Sequence, residues 1–188
     1  MDVTYERLVA ADADPLADFL IAGPWPFHGP KALDRDTIRR RVLDGFYDSD
    51  DSRTFWITEG GEKVGLIRLF DLADVAEGGA PMFDLRIGQA HRGRGLGGQA
   101  LAWLTRYLFT EFPDLRRIEG NTRQDNRAMR RTFLSGGYAK ESHYRDAWPG
   151  EQGRVHDATG YAILRRDWLS GVTTPPDWND DSLIDSKG

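Results

Sequence analysis

Eight consecutive residues, His91-Arg92-Gly93-Arg94-Gly95-Leu96-Gly97-Gly98, hold most of the chemistry that can be read from this chain. The glycines fall where an alternating strand pattern gives way to a helical one, so backbone N–H groups can converge on an anion without Cβ obstruction. The N-terminus of the helix that follows adds partial positive charge. Arg92 and Arg94 bring cationic donors to the same place, a combination that suits a pyrophosphate better than a lone carboxylate. A dinucleotide-binding fingerprint would place its glycines after an early strand, with an acidic residue about 20 positions further on. Here the glycines sit mid-chain, and the Lys-Ser/Thr pair of a P-loop is absent.

Other reactive groups are sparse. The chain has no Cys, which excludes disulfides, thiolate metal sites and a cysteine nucleophile, and it has no Ser-centred nucleophile elbow. His28, His143 and His156 are scattered rather than set at metal-ligand spacing, so no metal is expected. Asp48, Asp50 and Asp51 read as a solvated loop, with a polycationic acceptor as the alternative use for their charge.

The elements around the glycine-rich segment follow from periodicity. Residues 3–9 predict a strand and 12–21 a helix carrying Leu16, Phe19 and Leu20 at helical spacing. Three prolines and large aromatics make 23–30 an irregular segment, either a plug for the core or a lid over an acceptor. A helix over 36–46 follows, then a hairpin of 53–59 and 63–70 about Gly60-Gly61, and a loop over 71–81. Phe83, Leu85 and Ile87 alternate with Asp84 and Arg86 in a strand that feeds the glycines. The longest amphipathic helix runs to Phe112 before Pro113, and 117–122 reads as a strand. A helix over 126–135 closes at Gly136-Gly137, with strands at 138–142 and 157–165 separated by a connecting arm. Residues 1–170 thus form one domain, and 171–188 an acidic tail expected to be mobile or loosely docked.

Composition narrows the class. With 39% hydrophobic and 29% charged residues over 188 positions, one globular domain is expected. A net charge of -5 argues against non-specific nucleic-acid binding. No apolar run approaches the length of a membrane span and the N-terminus does not look like a signal peptide, so a soluble, cytoplasmic protein is expected.

The sequence resembles the GNAT superfamily of acyl-CoA-dependent N-acyltransferases. The family's pyrophosphate signature, Arg or Gln, two residues, Gly, one residue, Gly or Ala, is matched by Arg92, Gly95 and Gly97. Its second motif, an Asn opening a helix that ends in Gly and an aromatic, is matched between Asn126 and Tyr138, and the stretch 157–168 is similar to the last strand of the ribosomal-protein and antibiotic acetyltransferase branch.

That resemblance implies an α+β fold: a mixed, mostly antiparallel sheet of about seven strands, flanked by helices and splayed between the fourth and fifth strands, with acyl-CoA in the splay. It implies acetyl-CoA as co-substrate. Backbone groups of Leu85 and Ile87 would hold pantetheine, Gly93, Arg94, Gly95, Leu96, Gly97 and Gly98 would join Arg92 around the phosphates, and Asn121 and Asn126 would make further cofactor contacts. Asn126 also suits a helix cap and Asn121 a strand end, roles compatible with cofactor contact. Asp84 and Glu119 flank the splay and are the candidates for the base that deprotonates an attacking amine; each is equally a solvated strand residue. Phe133 stands where the family often has a tyrosine acid, which leaves the acid unassigned.

The implied reaction is N-acetylation of a primary amine on a small molecule, with a cationic antibiotic or metabolite among the candidates and homodimerisation left open. The alternatives are acetylation of a protein N-terminus and a non-catalytic acyl-CoA sensor.

Overall fold

The computed structural model describes residues 2–28, 34–150 and 153–178. A hairpin lies at its centre. Gly60 and Gly61 both have positive φ, 60° and 86°, the combination a tight two-residue turn demands, and they join β2 (Ser52–Glu59) to β3 (Glu62–Phe70). β1 (Val3–Arg7) pairs with β2, and β4 (Met82–Ile87) pairs with β3, giving an antiparallel four-stranded sheet. A second antiparallel sheet has the order β5-β7-β6, from β5 (Arg117–Arg123), β6 (Ala139–Pro149) and β7 (Val155–Leu164). The described residues therefore hold seven strands, and β4 and β5 belong to different sheets, which is the splay the sequence predicts.

Two apolar clusters cover the first sheet. α1 (Ala13–Ala22) and α2 (Arg35–Leu43) bury Leu16, Ile38 and Val42 against Trp56 and Leu66 on one face. On the other, α3 (Leu96–Glu111) presents Leu96, Ala100, Leu104 and Leu108, spaced four apart, to Ile57, Ile67 and Leu69. The strict alternation of β4 decides what enters each layer: Phe83, Leu85 and Ile87 pack on the α3 side, while Asp84 and Arg86 face the α1 and α2 side with Arg68 and Trp25.

The seam between the sheets is wedged by rings. Phe83 and the Phe133 of α4 (Arg127–Ser135) approach to 6.2 Å between centroids, and a Cβ at Gly120 would lie 2.7 Å from Phe133 and 2.8 Å from Phe83. A glycine is required there because the two rings close over its backbone.

Some local expectations change. The loop over 71–81 contains a short 3-10 helix, Leu72–Glu77, between two left-handed residues, Asp71 and Gly78. The α2 helix stops at Leu43, short of the predicted end at residue 46, because the chain turns left-handed at Gly45. β6 runs to Pro149 rather than ending at 142, so most of the expected connecting arm is strand. Its pairing with β7 shifts register twice, and Asp146 has φ 53°, which broke the alternation that marks a strand. A short helix, α5 (Arg165–Ser170), follows the last strand. Within the tail, Thr174 donates to the buried Asp167 carboxylate; positions 179–188 lie outside the described residues.

Candidate active site

The glycine-rich turn is built as its sequence suggests. Gly93 and Gly95 have φ of 76° and 84°, and α3 starts at Leu96, whose side chain is buried in the core while its backbone opens the helix. On the opposite wall, Asn126 caps α4 by accepting from the Met129 N–H at 3.2 Å and donates to Thr122 Oγ1 at 3.0 Å, which ties the helix to β5.

Between these walls lies a cavity of about 340 Å³, reached by Leu85 and Ile87 of β4, Arg92, Gly93, Gly95, Leu96, Gly97, Gly98 and Asn126. Nine of the residues singled out in the sequence are thus brought together. Asn121 lines an adjoining cavity of about 570 Å³ beneath the splay. Arg94 points elsewhere, pairing with Glu59 at 2.8 Å. Glu119 lines neither cavity and pairs with Arg117 at 3.0 Å.

The carbonyls of Leu85 and Ile87 face the splay. Ile87 O accepts from Arg92 Nε at 3.0 Å, and Leu85 O stands 3.3 Å from His28 Nε2. In an antiparallel strand the N–H and C=O of one residue point to the same side, so the Leu85 and Ile87 amides face the splay too. Arg92 also donates to Pro24 O at 3.1 Å and lies over the Trp25 ring, binding the segment 24–28 as a roof over the cavity.

A third cavity, of about 690 Å³, opens on the α1 and α2 face of β3 and β4. His28 lines all three cavities. Its Nε2 is 3.0 Å from Asp84 Oδ1, and Arg86 holds the other Asp84 oxygen at 2.7 Å. Burial alone would raise the Asp84 carboxyl, but the hydrogen bond from His28 and the charge of Arg86 outweigh it and hold the group at about 2. Both neighbours of Nε2 are acceptors, which places a proton on Nε2, and the buried Nδ1 has no hydrogen-bond partner among the described residues. Sequence reasoning passed over His28, treating it as a lone histidine; the aromatic-proline run around it was the available signal.

Phe133, in place of a tyrosine, is a core residue stacked on Tyr161 at 4.8 Å. The phenol of Tyr144 lines the cavity beneath the splay. No group of three or more His, Cys, Asp or Glu able to hold a metal occurs among the described residues, and no helix there is long and apolar enough to cross a membrane.

Residues 2–139 match the family model of an acetyltransferase (GNAT) domain, and the chain belongs to that family. No curated protein matches it. Among solved structures, the fold is similar to a chimera of the Vibrio cholerae spermidine N-acetyltransferase SpeG and hSSAT, with a TM-score of 0.77 and 18% identity over 90% of this chain and 99% of the other. It is also similar to RimL, a ribosomal L7/L12 alpha-N-protein acetyltransferase solved with coenzyme A, with a TM-score of 0.74 and 16% identity over 86% and 93%. A dodecameric structure of the Vibrio cholerae spermidine enzyme aligns with a TM-score of 0.73 and 19% identity over 90% and 97%. The chain is thus a GNAT acetyltransferase in family and in fold.

Proposed function

We propose that this protein moves the acetyl group of acetyl-CoA to a primary amine of a small molecule, by direct attack in a ternary complex. The observation that carries this reading is the pair Gly97 and Gly98. A Cβ at Gly98 would meet nothing within 4 Å, and one at Gly97 only Thr132 Oγ1 at 4.0 Å; neither has positive φ. Packing and dihedral angle therefore call for no glycine here, although each costs about 1 kcal/mol in a helix relative to Ala. A bare helix N-terminus facing a cavity is what a pyrophosphate needs to approach the backbone.

Acetyl-CoA brings the activated thioester. Arg92 and the N–H groups of the turn neutralise its phosphates, and the Leu85 and Ile87 edge receives pantetheine as an added strand would be received. An N–H on that edge polarises the carbonyl. On the acceptor side Asp84 orients His28, and the His28 Nδ1 lone pair takes the proton that the attacking amine must lose. With no cysteine in the chain, the amine itself is the nucleophile.

Gly97→Val tests the reading. The side chain meets open space, so the fold persists, while titration calorimetry is expected to show loss of acetyl-CoA binding. A variant that binds acetyl-CoA as well as the parent overturns the assignment. Thiol release measured over a panel of small amines and N-terminal peptides separates the enzyme from a sensor that binds acyl-CoA without turnover.

A further inference from the structure

The acceptor cavity carries the wrong charge for a polyamine. Among the described residues its wall holds four arginines, Arg41, Arg68, Arg86 and Arg123, against a single carboxylate, Asp84. Two of these cations are matched: Arg86 by Asp84 at 2.7 Å and Arg123 by Asp125 at 2.6 Å. Arg41 and Arg68 form no ion pair among the described residues.

Both are built into the wall. The Arg68 guanidinium lies 4.1 Å from the centroid of Phe46 and 5.3 Å from that of Tyr47, with Nε bonded to Ser52 Oγ at 3.2 Å and Nη2 to the Phe46 carbonyl at 3.1 Å. Arg41 covers the same Phe46 ring at 4.8 Å. Both guanidiniums stack on the Phe46 ring, half-buried and with no ion pair among the described residues, an arrangement that costs free energy unless an anion completes it. Two of the three aspartates at residues 48–51 are engaged elsewhere, Asp48 with Arg7 and Asp51 with the Ala73 N–H, and none of the three lines this cavity.

Position supplies the second half of the argument. Arg68 is the cross-strand partner of Asp84, and Arg41, Arg68, Asp84 and His28 all line the same cavity. A molecule with its amine at His28 and an oxyanion a few bonds away would meet the imidazole at one end and these guanidiniums at the other, within the one cavity.

We propose that the acceptor is a small zwitterion, a primary amine bearing a carboxylate or phosphate a few bonds from it, whose oxyanion is bound by Arg41 and Arg68. This rests on the acetyltransferase reading above and specifies its substrate class.

Thiol release from acetyl-CoA, and calorimetric binding to the CoA-loaded protein, should be measured with glutamate, O-phosphoserine, tyramine and spermidine. The first two distinguish a carboxylate from a phosphate as the bound group. A kcat/KM higher for either of them than for tyramine, with spermidine poorest, is the expected result. Arg41→Gln should shrink the preference over tyramine about 10- to 100-fold, the range lost with one charge-assisted hydrogen bond, through KM rather than kcat, and Arg41→Lys should restore part of it. Arg41 bonds the Tyr47 hydroxyl and covers the Phe46 ring, whereas Arg68 holds both Ser52 and the Phe46 carbonyl, so the Arg41 variant is a cleaner test than one at Arg68.

Spermidine or tyramine binding and reacting as well as the anionic amines, or a preference that Arg41→Gln leaves intact, overturns the inference while the acetyltransferase reading stands. So does a CoA-loaded protein that binds neither anionic amine. Failure to bind acetyl-CoA at all sinks the reading beneath it instead.

Discussion

A carboxylate held at about 2 is ionised at every pH where an amine can be acetylated, and it is a poor acceptor for an ammonium proton. The geometry around Asp84 therefore suits orientation better than abstraction, its 3.0 Å approach to His28 Nε2 leaving Nδ1 as the nitrogen proposed to act as base. We expect His28→Gln and Asp84→Asn each to lower kcat by about 10²- to 10⁴-fold near neutral pH, with acetyl-CoA affinity little changed. Glu119→Gln, outside the cavities, should leave the pH–rate profile as it is; if that variant alone loses the rate, the proton follows another path. The same depressed carboxyl ties stability to pH. Asp84 has a folded value of about 2 against an ordinary 3.8, and its side chain is only 24% exposed, so its contribution, about 2 kcal/mol, is present above pH 4 and is lost as pH falls towards 2. Chemical denaturation of Asp84→Asn should show a flatter stability curve across that window; a curve parallel to the parent's would mean that Asp84 is not held down. The sequence picked out Asp84 but not its partner, because His28 and the strand it serves are 57 positions apart and only the tertiary fold joins them.

At the level of elements, the parts with strong local rules were readable and the parts set by pairing were not. β4, the glycine turn and α4 each announce themselves through alternation, glycine spacing or a capping Asn, and they carry the cofactor side of the candidate site. β6 did not, since bulges and the left-handed Asp146 disrupt its period while β7 still supplies hydrogen bonds to its far end, where Trp148 joins the acceptor wall. The end of the domain was equally hard to read. Asp167, buried in α5, accepts from both the N–H and the hydroxyl of Thr174, each at 2.9 Å, a contact between a carboxylate and a segment whose composition reads as tail. Deleting everything after Gly171 should therefore cost about 1.5 to 3 kcal/mol and lower the melting temperature by several degrees, because a buried charge loses its donors. Ending the chain after Thr174 should cost far less. Equal melting temperatures for the two truncations would show that the Asp167 contact contributes nothing.

Taken whole, the molecule opens two cavities along β4, the proposed cofactor cleft towards α3 and α4 and the proposed acceptor cavity towards α1 and α2, and Trp25, Pro26 and His28 line both. The family resemblance implied a place for acyl-CoA in the splay but no acceptor cavity, and the sign of the charge there was not readable, because arginines 41, 68, 86 and 123 come from separate elements and only folding gathers them. A consequence in time follows from Arg92. Its guanidinium fastens Pro24 and Trp25 to the end of β4, and on the proposed reading a phosphate that draws Arg92 in loosens that clasp. We therefore expect ordered addition, nucleotide first and amine second, with free CoA competing against acetyl-CoA but not against the amine. Initial-rate and product-inhibition patterns should reveal it, and loosening the clasp by Trp25→Ala should blur the order towards random addition while speeding the entry of CoA.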